Sequence, residues 1–331
     1  MKILLGSHHF FPSTGGIETV SNLLAREFVK RGHEVRVVTQ TVGEGDFPFA
    51  VLRRPGAFDL WRNVRWCDVF LQNNISLRTL WPLIFVWRPL FITHQTWMTK
   101  PDGSTGWPQR LKRFVLRYAT SFAISGAMAE SLPGPSLRVG NPYDDEVFND
   151  SSGEAPRLEL IFVGRLVSDK GADLLLNALK LIEVKPRLTI VGDGPELAAL
   201  EKQAADLQLR PQIEFVGRQQ GEQLAKLLRQ HEILVVPSLW HEPFGIVALE
   251  GIACGCVVVG SAGGGLAEAI GPCGVTFPNG DAGALATAIA RLLSEPDNRF
   301  RLRQEAPSHL ARFTLRHIAG VYLEAMERAL R

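Results

Sequence analysis

Residues 158–194 read LELIFVGRLVSDKGADLLLNALKLIEVKPRLTIVGDG. A short apolar run, Leu158–Val163, is followed by a loop, by a helical pattern over Ala172–Ile182, and by a second apolar run, Arg187–Val191. Strand, helix and strand in that succession predict parallel neighbours joined by a crossover. The alternation continues C-terminally. Strands are predicted at Gln212–Val216, Ile233–Pro237, Cys256–Gly260 and Gly274–Phe277. Helices are predicted at Glu196–Leu207, Glu222–Arg229, Phe244–Cys254, Leu266–Ile270, Ala282–Leu293 and Thr314–Leu330.

The same pattern runs N-terminally. Strands are expected at Lys2–Gly6, Glu34–Thr39, Phe49–Arg53, Asp68–Gln72, Leu90–His94, Ser121–Ser125 and Leu137–Gly140. An amphipathic helix over Ile17–Arg31 is stopped by Gly32. Between the two series lies Asn141–Arg157, NPYDDEVFNDSSGEAPR, a polar and turn-rich stretch that reads as a linker and hinge. The chain is therefore expected to be α/β, with two open parallel sheets in series. Ligands on such sheets bind beyond the carboxyl ends of the strands.

Composition sets outer bounds. The 331 residues are 46% hydrophobic and 21% charged, which suits a globular chain with two cores. A net charge of +2 gives no general pull toward nucleic acid, and none is expected as a partner. Cys67, Cys254, Cys256 and Cys273 form no CxxC pair, so no metal is expected and small buried side chains are the simpler reading. Few cysteines and an N-terminus that reads as a first strand suggest the cytoplasm. Residues 77–93 are strongly apolar but carry Arg78, Pro82, Arg88 and Pro89, which is a helix and a buried strand rather than a membrane span.

Chemistry concentrates in Trp240–Gly255, WHEPFGIVALEGIACG. A helix apolar on all sides is buried. Glu250 stands in its middle, where a carboxylate needs a partner or a ligand, and Glu242 lies eight residues upstream. Arg165 and Lys170 follow the strand Leu158–Val163, at the mouth of the sheet, and are suited to a diphosphate; a solvated loop is the plain alternative. Gly15 and Gly16 precede a helix, so backbone can approach an anion there, although many such pairs are only turns. His94 ends an apolar strand, as a ligand contact or as a satisfied core-edge histidine. Val191-Gly192-Asp193-Gly194-Pro195 lacks the third glycine of a dinucleotide fingerprint. No Walker A, GxSxG or Asp-x-Asp sequence is present.

These pieces resemble glycosyltransferase family 4, the retaining group 1 enzymes with the GT-B fold. The match covers P-S-T-G-G-I-E from Pro12, Gly164-Arg165-Leu166 with Lys170-Gly171, Phe215-Val216-Gly217, Gly263 to Glu268, and above all Glu242 and Glu250 inside E-P-F-G-I-V-A-L-E. The resemblance implies two Rossmann-like domains facing across a cleft. These would be residues 1–145 for the acceptor and 146–310 for the nucleotide sugar, with 311–331 crossing back toward the first.

It also implies roles. Arg165 and Lys170 would bind the diphosphate and Gly16, beside Gly15, the distal phosphate. Glu250 would hold the ribose. Glu242 with Phe244, Gly245 and Ile246 would hold the sugar, and Arg218 and Gln219 would flank the base. His94 would lie beside sugar and acceptor. The implied reaction moves a hexose-type sugar from a UDP- or GDP-sugar to a glycan, glycolipid or lipid-linked acceptor, with no cofactor. Pro243, often Gly, and Asn141-Pro142-Tyr143-Asp144 depart from the usual pattern. An epimerase of the same fold and a non-catalytic nucleotide-sugar binder stay open as alternatives.

Residues 107–118, WPQRLKRFVLRY, form a basic amphipathic segment. Its apolar face is expected to pack on the sheet; peripheral contact with the inner face of a membrane is the other reading.

Overall fold

The computed structural model describes residues 1–13, 15–98, 106–151 and 157–331. Thr14 of the first loop and residues 152–156 of the expected linker lie outside them. The chain forms two compact units, Met1–Pro142 with Thr314–Arg331, and Tyr143–Phe313.

The first unit holds β1 (Lys2–Ser7), β2 (Glu34–Thr39), β3 (Ala50–Arg53), β4 (Val69–Asn73), β5 (Leu90–His94), β6 (Ala119–Ala123) and β7 (Ser136–Arg138). They pair in the order β3-β2-β1-β4-β5-β6-β7, every pair parallel. The second unit holds β8 (Leu158–Val163), β9 (Leu188–Val191), β10 (Ile213–Gly217), β11 (His231–Val236), β12 (Val257–Ser261) and β13 (Gly274–Phe277). Its order is β10-β9-β8-β11-β12-β13, again all parallel. In each sheet the order reverses beside the first strand, which opens a crevice at the carboxyl ends of β1 and β4 and of β8 and β11.

The local causes are simple. Central strands such as β9 and β12 are buried at every position, as crossover helices on both faces require. All four cysteines are buried among them, and burial pushes the Cys67 and Cys254 thiols up to about 12, so both stay inert. Residues 77–93 divide into a helical turn Leu77–Leu80, a 3₁₀ turn Trp81–Ile84 and β5. Among the described residues no helix is long and apolar enough to cross a membrane.

Three features differ from the sequence reading. The helix expected from Phe244 begins only at Ile246, because Gly245 is left-handed at φ 96° and ends the loop. Part of the expected linker is packed chain. Tyr143 and Phe148 are buried, and Tyr143 N–H donates to the Phe313 carbonyl at 3.3 Å. The basic segment forms a helix, Trp107–Leu116, yet buries none of its residues. Its apolar stripe is covered only in part: among the described residues Val115 and Leu116 pack against the core cluster, while Trp107, Phe114 and Tyr118 stand exposed.

The last helix, Leu315–Leu330, is capped by the Thr314 side chain and belongs to the first unit. Tyr322 is fully buried in it. The ring lies 4.4 Å from that of Phe122, and its hydroxyl accepts from Thr93 at 3.1 Å. Six of the seven tryptophans lie in this unit, so their fluorescence reports its unfolding. Tyr322→Ala is expected to cost it about 3–5 kcal/mol in urea unfolding, and Tyr322→Phe only about 1 kcal/mol. Equal losses would mean that the ring is not the anchor.

Candidate functional site

The second unit assembles its polar side chains from three loops at the carboxyl ends of β8, β11 and β12. After β8 the chain runs through Gly164-Arg165-Leu166. Leu166 is buried, and its N–H donates to the Asp193 carbonyl at 2.7 Å. Gly192 and Gly194 permit that approach. A Cβ on Gly192 would lie 1.9 Å from the Gly164 oxygen, and one on Gly194 2.3 Å from the Leu166 oxygen. The Gly-Asp-Gly sequence is thus a packing device between two strand exits.

A 3₁₀ turn, Ser168–Lys170, then ends on left-handed Gly171 at φ 69°. A Cβ there would stand 2.0 Å from the Pro237 carbonyl oxygen. This contact lays the loop after β8 against the loop after β11. The Asp169 carbonyl accepts from Leu239 N–H at 3.0 Å and from Trp240 N–H at 3.3 Å.

Lys170 Nζ consequently reaches Glu242 Oε1 at 2.5 Å. Ser238 Oγ donates to the same oxygen at 2.7 Å. Glu242 is therefore no solvated surface acid; its carboxylate is held by a cation and a hydroxyl. Its backbone is held as well. Gly265 N–H donates to the Glu242 carbonyl at 2.6 Å, and Glu242 bridges Gly264 in parallel. Asn279 ties this corner together, accepting from Gly263 N–H at 2.8 Å and donating to the Ser238 carbonyl at 3.0 Å.

Phe244 is buried, 5.5 Å from the Phe313 ring. Gly245 and Ile246 open the helix Ile246–Ala253, whose first-turn N–H groups point outward as at any helix start. Glu250 lies in its second turn. Burial, and then the neighbouring Asp144 carboxylate, push its pKa up to about 7. Asp144 is itself raised, chiefly by burial. Arg165 and Arg218 are exposed, the latter beyond β10 at the sheet margin, where Gln219 Nε2 donates to the Val216 carbonyl at 3.2 Å. Among the described residues Arg165, Arg218 and Glu250 make no hydrogen bond or ion pair to the Lys170–Glu242 pair. No three His, Cys, Asp or Glu among them converge on a metal position.

In the first unit, Gly15 caps the helix Gly16–Lys30, and both glycines are exposed. The Glu18 carboxylate lies over Gly15, at 2.6 Å from where a Cβ would stand. It occupies the ground that an anion at this helix start would take. His94, the last residue of β5, is only 1% exposed. Its Nε2 lies 3.2 Å from Ser121 Oγ, and burial holds its pKa down at about 4. The ring is therefore neutral at physiological pH. Ser238 and Asn279 carry no motif in the sequence, and Asp144 stood out there only as part of a departure from the usual family pattern. Of the first two, only Ser238 carried a signal, as a polar residue directly at the exit of an apolar strand.

Two all-parallel sheets, each with its polar residues at the carboxyl edge, define the Rossmann-like pair of a GT-B protein. The family model of glycosyl transferases group 1 matches residues 144–309, and the chain belongs to that family. It is 34% identical over 217 residues to a D-inositol 3-phosphate glycosyltransferase of Rhodococcus opacus (strain B4), across 60% of this chain and 47% of the relative. It is 36% identical over 231 residues to D-inositol 3-phosphate glycosyltransferase 2 of Catenulispora acidiphila, across 63% of this chain and 54% of the relative. The chain thus spans about half the length of the curated relatives it matches. Anabaena HepE in complex with UDP superposes with a TM-score of 0.86 at 19% identity, over 99% of this chain and 100% of the other. Sucrose-phosphate synthase from Thermosynechococcus elongatus gives 0.83 at 22% identity, over 99% and 98%. Both share the fold.

Glu250 has a pH signature. Its folded pKa, about 7, exceeds its ordinary value of 4.5. The unfolded chain therefore ionises first, and stability present below pH 4.5 is lost as pH rises toward 7. Glu250→Gln removes that loss. Without ligand the variant is expected to match the wild type in acid, then to gain about 1–3 kcal/mol that levels off above neutrality. Denaturant midpoints measured across this range, if they move in parallel for both proteins, would mean that the carboxylate is not desolvated.

Proposed function

We propose that the protein is a retaining glycosyltransferase. It moves a hexose-type sugar from a UDP- or GDP-sugar to a glycan, glycolipid or lipid-linked acceptor, without a metal. The observation that carries this reading is Glu242, fixed by Lys170 and Ser238 directly before a helix start, with Glu250 desolvated eight residues on.

In this reading Lys170 and Arg165 neutralise the diphosphate as its bond to the sugar breaks. Lys170 is already oriented by Glu242, so the cation is preorganised. Glu242 and the backbone of Phe244, Gly245 and Ile246 accept from and donate to the sugar hydroxyls. Glu250 takes the ribose hydroxyls, whose two donors supply partners to its half-buried carboxylate. Arg218 and Gln219 flank the base. In the first unit, Gly15 and Gly16 offer amides to an anionic oxygen once Glu18 turns aside. His94 acts as a neutral hydrogen-bonding group. Uridine is supported by the UDP complex of HepE, and a hydroxyl-rich acceptor by the D-inositol 3-phosphate of the relatives' names. A cytoplasmic protein in peripheral contact with the inner membrane face completes the reading.

A thermal-shift and hydrolysis screen with UDP- and GDP-sugars and the free nucleotides tests it. One nucleotide class at a hundredfold excess over its Kd should add about 2.7 kcal/mol to the stability. Glu250→Ala should abolish the shift. Glu242→Ala should lower turnover by about ten- to a hundredfold, the worth of one hydrogen bond to a charged group. A nucleotide shift with no turnover in any donor and acceptor mixture would favour a non-catalytic binder. No shift with any nucleotide would sink both readings.

A further inference from the structure

The helix Trp107–Leu116 is amphipathic in an unusual sense, because the face that looks made for packing is the uncovered one. Trp107, Leu111, Phe114 and Tyr118 recur at helical spacing and form one stripe. Trp107, Phe114 and Tyr118 are 74%, 51% and 72% exposed. The side that faces the core is carried by Val115 and Leu116, roughly a quarter turn or more away.

A second exposed apolar segment adjoins it. Ile84, Phe85 and Trp87 are 79%, 73% and 79% exposed. The register Leu90↔Ala119 sets the entries of β5 and β6 side by side, so Trp87 and Arg88 neighbour Arg117 and Tyr118 at the amino edge of the sheet. Val86 joins the same core cluster as Val115 and Leu116. Arg88 fixes the turn that presents Trp87, donating to the Cys67 carbonyl at 2.5 Å and the Arg65 carbonyl at 2.8 Å.

Charge singles out the same region. Between Trp107 and Tyr118 the sequence holds four Lys and Arg, Arg110, Lys112, Arg113 and Arg117, and no acid, where the entire chain is only +2. Arg110, Arg113 and Arg117 are exposed and lie along one flank of the aromatic stripe. Aromatic side chains and arginines interleaved on one exposed face match an interface between hydrocarbon and anionic headgroups. A second copy of this chain would bring like charge against like. Nucleic acid would call for a basic groove, not for cations flanking an apolar ridge.

We propose that this face of the first unit docks on an anionic phospholipid surface. Trp107, Phe114, Tyr118 and Trp87 enter the headgroup boundary, and Arg110, Arg113 and Arg117 contact lipid phosphates. This names the contact for the peripheral association proposed above. It uses no donor-site residue, so its failure leaves the glycosyltransferase reading standing.

The test is flotation of the full chain with vesicles of phosphatidylcholine alone and of phosphatidylcholine mixed with phosphatidylglycerol. Binding is expected only to the mixed vesicles and should fall as salt is raised. Replacing Arg110, Arg113 and Arg117 with Gln should weaken partitioning by about a hundredfold, on the basis of about fivefold per arginine. Phe114→Ser with Trp107→Ser should weaken it by about tenfold or more, with the thermal unfolding midpoint unchanged. Failure to float with mixed vesicles would overturn the proposal. So would variants that float like the wild type. A dimer in solution that Phe114→Ser dissociates would assign the face to a second copy instead, and binding to a nucleic-acid duplex lost with the arginines would assign it there.

Discussion

The close approach of Gly171 to the Pro237 carbonyl governs the second unit. Two strand exits, after β8 and after β11, must come near enough for one side chain to bridge them, and any Cβ at Gly171 would hold them apart. From that contact the rest follows in order. The Asp169 carbonyl takes the amides of Leu239 and Trp240, and Glu242 arrives beside Lys170. Left-handed φ at Gly171 and at Gly245 fixes both ends of the arrangement. A loop anchored by backbone bonds at two points loses little entropy when a ligand arrives, which is what preorganisation means here.

The Lys170–Glu242 pair adds little to stability for its length. A partly buried ion pair gives back in desolvation most of what its Coulomb attraction gains. Its use is directional. Glu242 spends one oxygen on Lys170 and Ser238, which fixes the direction in which the carboxylate faces. Glu250 presents the opposite situation, a half-buried carboxylate whose charged neighbour is another acid, Asp144. One carboxylate has its partners within the fold, and the other has none among the described residues.

Much of this was legible in the sequence, and the exceptions have physical reasons. The strands were readable because a parallel strand covered on both faces is a run of apolar residues such as Val257-Val258-Val259. Glu242 and Glu250 stood out as carboxylates in apolar surroundings. Short helices such as Pro296–Gln304 were missed, since that helix buries none of its residues and leaves no apolar period to read. Asn279 was illegible because its partners, Ser238 and Gly263, are distant in sequence and meet only in the fold. The neighbour of His94, Ser121, comes from the adjoining strand and is announced by no local pattern. The stripe of residues 107–118 misled for another reason. Periodicity says that a face is apolar, not what covers it.

The route of the chain carries a separate implication. The first unit is made of two pieces, Met1–Pro142 and Thr314–Arg331, while the second is one uninterrupted stretch between them. The second unit begins and ends at residues that are bonded to each other, Tyr143 N–H to the Phe313 carbonyl. In genetic terms it is a cassette whose two ends meet. It can be lifted out as a single open reading frame or closed head to tail on a short linker. The first unit has no such freedom: cut the gene anywhere inside the cassette, and the helix that carries Tyr322 is severed from the sheet it completes.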